Sequence, residues 1–221
     1  MMGFDMSFEH VYEAVSYRDH LNATGSRGNC LGQSWLWMTD ILAGSAISLA
    51  PACFLKGDVL QKEYLQHVAR GGACVVDMGF YIQKGRELQG SARGRCLVQR
   101  NASGNASAFE MVNAFARNAQ GDAGMIMTWN ISDKRKRLSY HDEDYESGHA
   151  VALLRLNDEG KIYLYDPNTG VHEWHEAVGV NLYTDIERYL MARSRRAVFL
   201  SCVSMFSRQG VSPLNFRKVY V

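Results

Sequence analysis

An α+β fold, with helices first and an antiparallel sheet second, is what this chain of 221 residues predicts. Three observations predict it. Up to about residue 122, apolar residues recur at three- and four-residue spacing, the helical period. From about residue 123 the apolar residues instead form short runs of strand length, separated by turns that open on Asn or Asp and close on Gly. Nowhere does strand alternate regularly with helix, as it would in a βαβ chain. A hydrophobic fraction of 47% with only 3 prolines argues for a packed globular unit rather than a disordered one. The expectation is one domain over 1–221, with a helical half at about 1–122 and a sheet half at about 123–221.

Taken in order, residues 4–21 read as a helix with Phe8, Val11, Tyr12 and Val15 as its stripe. The Gly-, Ser- and Asn-rich loop 22–29 leads into a second helix. There Leu31, Trp35, Met38 and Leu42 form one buried face, and the helix ends near Gly44 or continues weakly to Pro51. Asn29 is placed to cap it through its side-chain oxygen. A third helix is expected over 59–69, with Leu60, Tyr64 and Val68 inward and Gly71-Gly72 beyond its end. The signal over 73–105 is poor, and 84–107 reads as an exposed connection. A fourth helix is expected over 107–119. Strand-like segments follow at 124–129, 149–156, 161–165 and 171–174, then a helix at 184–193 and a strand at 197–206.

Composition excludes several classes of function. A formal charge of +1 gives no reason to expect nucleic acid as a partner. No apolar run approaches a membrane span, so no integral membrane segment is expected. The first residues show no basic region followed by an apolar core, so no Sec-type signal is read there. Five cysteines, at 30, 53, 74, 96 and 202, make no Cys-x-x-Cys pair. Neither a disulfide framework nor a four-cysteine zinc site is supported, and a reducing working environment is expected.

Cys30 stands out among the five because it opens a helix. A thiol there meets the positive end of the helix dipole and free backbone N–H groups, and both favour the nucleophilic thiolate. The competing reading is a small buried hydrophobe. Cysteine chemistry also needs a base and benefits from a group that orients it. Of seven histidines, His149 follows Ser147-Gly148 and opens an apolar strand, so its ring can emerge at the end of a rigid element. Asp166 closes the next strand, and in an antiparallel hairpin the two lie at the same end. Each also has an ordinary reading, a surface histidine and an Asp-Pro-Asn turn.

At these residues the chain resembles a known family. Gly28-Asn29-Cys30-Leu31-Gly32-Gln33-Ser34-Trp35, Ser147-Gly148-His149-Ala150-Val151 and Tyr165-Asp166-Pro167-Asn168-Thr169-Gly170 resemble the windows of papain-like YopT/AvrPphB-type bacterial effector cysteine proteases. The resemblance covers short windows within 28–170 and does not extend over 71–123 or beyond 207. It implies a papain-like fold, with the nucleophile helix packed on a C-terminal antiparallel sheet. It further implies Cys30 as nucleophile, His149 as general base and acid, and Asp166 as orienting carboxylate, with no cofactor. The implied activity is proteolysis of a specific host protein by an effector secreted through a non-Sec route and acting in the host cytosol. One departure is local: the amide side chain such enzymes carry five or six residues before the cysteine is absent, since Gly25 and Thr24 stand there. The backbone N–H of Cys30 still offers one oxyanion donor. A deamidase, transglutaminase or amidase using the same pair, and a non-catalytic binding domain of the same fold, are the alternatives.

Other constellations are weaker. The basic run 133–137 and the acidic run 141–146 read either as a charged lip for a basic substrate segment or as a self-neutralising solvated loop, and the loop is favoured. His172 and His175 invite a zinc reading but lack a third ligand and face opposite sides of a strand, so no metal is expected. Trp35 and Trp37 are expected to pack the cysteine helix on the sheet.

Overall fold

The computed structural model describes residues 7–13, 28–42, 53–68, 80, 83–84, 97–103, 105–117, 121–132, 147–156, 160–176, 181–194 and 197–208. Its strands are β1 (Phe8–Glu13), β2 (Leu97–Ser103), β3 (Ala123–Ser132), β4 (Ser147–Leu156), β5 (Lys161–Asp166), β6 (Gly170–Trp174) and β7 (Ala197–Arg208). Its helices are α1 (Cys30–Leu42), α2 (Cys53–Val68), α3 (Asn105–Arg117) and α4 (Leu182–Ser194). The strands form one seven-stranded sheet in the order β1-β6-β5-β4-β3-β7-β2, and every pairing is antiparallel.

The central strands alternate with a period of two, and both of their faces are buried. On one face Met125, Met127 and Trp129 of β3, Val151 and Leu153 of β4, and Ile162 and Leu164 of β5 meet α3 and α4. On the other, Ile126, Ala150, Ala152, Leu154, Tyr163 and Tyr165 meet α1. α1 presents the expected stripe, Leu31, Trp35, Met38 and Leu42, and all four are buried. Trp37 stacks on Tyr165 with ring centroids 5.0 Å apart. Close approach of α1 to β3 requires Gly124, where a Cβ would stand 2.4 Å from the Met38 Cγ. Asn181 caps α4 by accepting the Thr184 N–H at 3.0 Å.

Two expectations fail at the sheet edges. Within 4–21, the described part is strand β1 rather than helix, paired with β6 from Phe8↔Trp174 to Glu13↔Gly170. Only Phe8 of β1 is buried, so the apparent helical stripe reflects an edge strand carrying few inward residues. The expected exposed connection 84–107 contains β2, which pairs with β7 along its whole length, and α3 starts there at Asn105. Edge strands from the first half of the chain therefore flank a sheet whose centre comes from the second. The charged segment 133–146 and the residues around Thr24 and Gly25 lie outside the described residues, as do Cys74 and Cys96.

Candidate active site

Cys30 is the first residue of α1, half-buried, and its helix is tied to the sheet by the Ser34 hydroxyl, which donates to the Ala150 carbonyl at 3.1 Å. His149 and Asp166 come from neighbouring strands where those strands separate. Pairing of β4 with β5 runs from Leu156↔Lys161 only as far as Ala152↔Tyr165. Past that point β4 continues alongside β3, with His149 opposite Trp129. By strand alternation His149 shares the face of Val151 and Leu153, the face of α3 and α4, whereas Cys30 arrives on the helix of the other face. The three residues meet at the end of the sheet.

Nε2 of His149 lies 3.0 Å from Oδ1 of Asp166, in a buried contact. That leaves Nδ1 of the ring for the Cys30 sulfur, its other hydrogen-bonding neighbour. Oδ1 of Asp166 also accepts the Asn168 N–H at 2.9 Å. Burial pushes the Cys30 thiol up, but the hydrogen bond and charge of His149, with the N–H groups of Ala150 and Leu31, outweigh it and hold the thiol below its ordinary range. Burial alone would make the His149 ring less basic. Asp166 and Cys30 overcome that by hydrogen bonds and charge, and raise it to about 10. Burial likewise disfavours the Asp166 carboxylate, yet His149, the Asn168 N–H and Arg193 keep it below the usual carboxylate value. The arrangement favours a thiolate–imidazolium pair backed by a carboxylate.

The first turn of α1 is capped in a way the local spacing does not suggest. Asn29 does not use its side-chain oxygen as a cap. Its amide nitrogen donates to Asp58 Oδ1 at 2.8 Å and to the Phe54 carbonyl at 3.1 Å, while the oxygen is buried without a hydrogen-bond partner. The Leu31 and Gly32 N–H groups are taken instead by Oε1 of Gln61, at 3.1 and 3.3 Å. α2 lies close enough to do this because two glycines face each other. A Cβ on Gly32 would stand 2.0 Å from the Gly57 carbonyl oxygen. The inward residues of α2 thus include polar Asp58 and Gln61, which a search for apolar stripes passes over.

Replacing Gln61 by leucine removes the shared acceptor of two buried N–H groups, at a cost of about 1–3 kcal/mol. The variant is expected to show a reduced Tm in thermal unfolding, and an unchanged Tm would show that the cap contributes nothing.

Of the His-x-x-His motif only His172 lies on β6, and His175 follows the strand's last residue, Trp174. His172 is buried, whereas His175 is exposed and sits 3.2 Å from Glu9. Among the described residues, no group of three His, Cys, Asp or Glu is placed to hold a metal ion. No helix among them is long and apolar enough to cross a membrane.

No protein-family model matches the chain, and no curated protein matches it in sequence. Among solved structures it is similar to the Pseudomonas avirulence protein AvrPphB, with a TM-score of 0.47 and 14% identity over 84% of this chain and 93% of that one. A likeness of that size assigns no activity.

Proposed function

We propose that this chain is a cysteine protease in which Cys30 attacks the scissile carbonyl, His149 moves the proton and Asp166 orients His149. The observation that carries the reading is the buried chain of contacts from a helix-opening thiol through an imidazole to a carboxylate. The thiolate adds to the carbonyl carbon, and the resulting oxyanion is met by the Cys30 N–H. The imidazolium then gives its proton to the departing amine. In deacylation the neutral ring takes a proton from water, which displaces the sulfur. Asp166 keeps the ring's Nε2–H occupied and stabilises the cation at each protonated stage.

The resemblance in the three sequence windows extends this reading to a secreted bacterial effector that cleaves a specific host protein. The acceptor distinguishes it from a deamidase or transglutaminase, which share the thiolate and imidazole but leave the substrate backbone whole.

Two measurements test the proposal. Iodoacetamide alkylation of Cys30 across pH reads the ion pair directly. The thiolate is present above the lowered Cys30 value, and the imidazolium is lost as pH rises through about 10. Peptide hydrolysis is therefore expected to form a bell whose acid limb lies below the ordinary thiol range and whose alkaline limb lies near 10. A flat alkylation profile, or one rising only at the ordinary thiol value, would sink the triad. Second, a host-cell lysate treated with the protein is searched for new chain ends absent from the Cys30→Ala control. Intact substrates carrying only the mass change of deamidation or cross-linking would replace proteolysis by the alternative chemistry.

A further inference from the structure

The triad uses one oxygen of Asp166. The other, Oδ2, faces α4, where the Tyr189 hydroxyl donates to it at 3.3 Å in a buried contact. Tyr189 is 2% exposed, and its hydroxyl belongs to a wider cluster. It lies 3.0 Å from Nε2 of His172 on β6 and is hydrogen-bonded to the Thr169 hydroxyl in the β5–β6 turn. Thr169 and His172 are also paired, at 2.9 Å, and the Thr169 carbonyl accepts from Nε2 of His10 on β1 at 3.0 Å. The ring is held on three sides: Phe8 edge-on at 5.4 Å, His172 at 5.1 Å, and the Arg193 guanidinium 3.9 Å above it.

We propose that Tyr189 is a positioning residue for the triad, its hydroxyl fixing the second oxygen of Asp166 so that the first stays directed at His149. This rests on the triad reading above. The order of donors supports it. A carboxylate only accepts, so the phenol must give it the proton. The phenol oxygen is then left to accept from Thr169 or His172. Burial and the Asp166 charge keep the Tyr189 hydroxyl protonated. Burial, with Arg193 and His10, lowers His172 to about 4, so it stays neutral while the ion pair forms. Asp166 is thereby gripped from both sides, by His149 and the Asn168 N–H on Oδ1 and by Tyr189 on Oδ2. Without the hydroxyl, Oδ2 is buried with that donor missing, and the carboxylate is free to turn toward other partners.

The charged and titratable groups around this point are Cys30, His149, Asp166, His172, His10 and Arg193. Tyr189→Phe leaves all of them in place and keeps the ring contacts. Its effect is therefore read as a comparison with the wild-type pH window of peptide hydrolysis, whose acid limb is read a second time by alkylation of Cys30 with iodoacetamide. The expected result is a window narrowed from both sides, with the acid limb higher and the alkaline limb below about 10. At neutral pH the rate is expected to fall roughly tenfold, the scale of a hydrogen bond to a charged group. Tyr183→Phe, on the same helix but packed near Trp129, is expected to keep the wild-type window. A Tyr189→Phe window unchanged or widened, whatever its Tm, overturns the proposal. So does a Tyr183→Phe window narrowed equally, which would mean that loosening α4 anywhere has the same effect. If wild-type Cys30 itself lacks the low acid limb, the triad reading fails first. If it has that limb and Tyr189→Phe matches it, only this inference fails.

Discussion

Cys30→Ser is expected to abolish peptide hydrolysis, with a loss of about 10⁴-fold or more, although serine fits the site as well as cysteine does. The reason lies in the starting state. His149 holds its proton up to about 10 partly because a negative sulfur sits beside it. A serine hydroxyl is far too weak an acid to ionise there, so the variant faces its substrate with a neutral alcohol. The ring, deprived of one of its two anionic neighbours, becomes less basic. Attack would then require removing the alcohol proton within the transition state, with a base tuned for a different resting state. Hydrolysis of a cleaved substrate by the serine variant checks this. Retention of a tenth of wild-type activity would show that a pre-formed ion pair is not what drives the reaction.

His149→Gln is expected to cost about 10²–10⁴ in hydrolysis, the usual worth of acid–base catalysis, and to move the thiol further than the loss of one neighbour suggests. Burial is the largest single influence on Cys30 and raises it; the histidine is the main opposing one. Once the imidazolium is gone, only the N–H groups of Ala150 and Leu31 remain to favour the thiolate. The acid limb of alkylation is expected to rise beyond the ordinary thiol value rather than merely return to it. Asp166 would be left buried without its cationic partner, so thermal unfolding should also shift to lower temperature. Alkylation of the variant across pH decides between the two causes. An acid limb still below the ordinary thiol range would assign the activation to the helix terminus instead.

The middle of the sheet was legible because β3, β4 and β5 bury alternate residues on both faces and their turns are marked by Asn, Asp and Gly. α1 was legible because its stripe is apolar throughout. The edges were not. β1 turns only Phe8 inward, so the remaining apolar residues could mimic a helical repeat, and the sequence of β2, Leu97–Ser103, shows no apolar alternation to mark the strand that pairs with β7. At the site, Cys30 opens α1, Asp166 closes β5 and His149 lies two residues inside the start of β4, positions where order along the chain carries geometric meaning. Gln61 and Tyr189 sit inside helices and act on residues far away in sequence. The inward face of α2 is partly polar, so hydrophobic spacing directs attention to Leu60 and Tyr64 and away from the capping amide.

The meeting of three residues at the sheet's end has a consequence for when the molecule becomes reactive. His149 and Asp166 are separated by 17 positions, and closing so short a loop costs little chain entropy. The bond that docks the cysteine helix, from Ser34 to Ala150, spans 116 positions. A hairpin alone holds an imidazole and a carboxylate but no sulfur, and a helix pair alone holds a thiol with no cation beside it. No fragment of the fold is a smaller version of the proposed site, and the thiol, imidazole and carboxylate come together only in the completed tertiary structure.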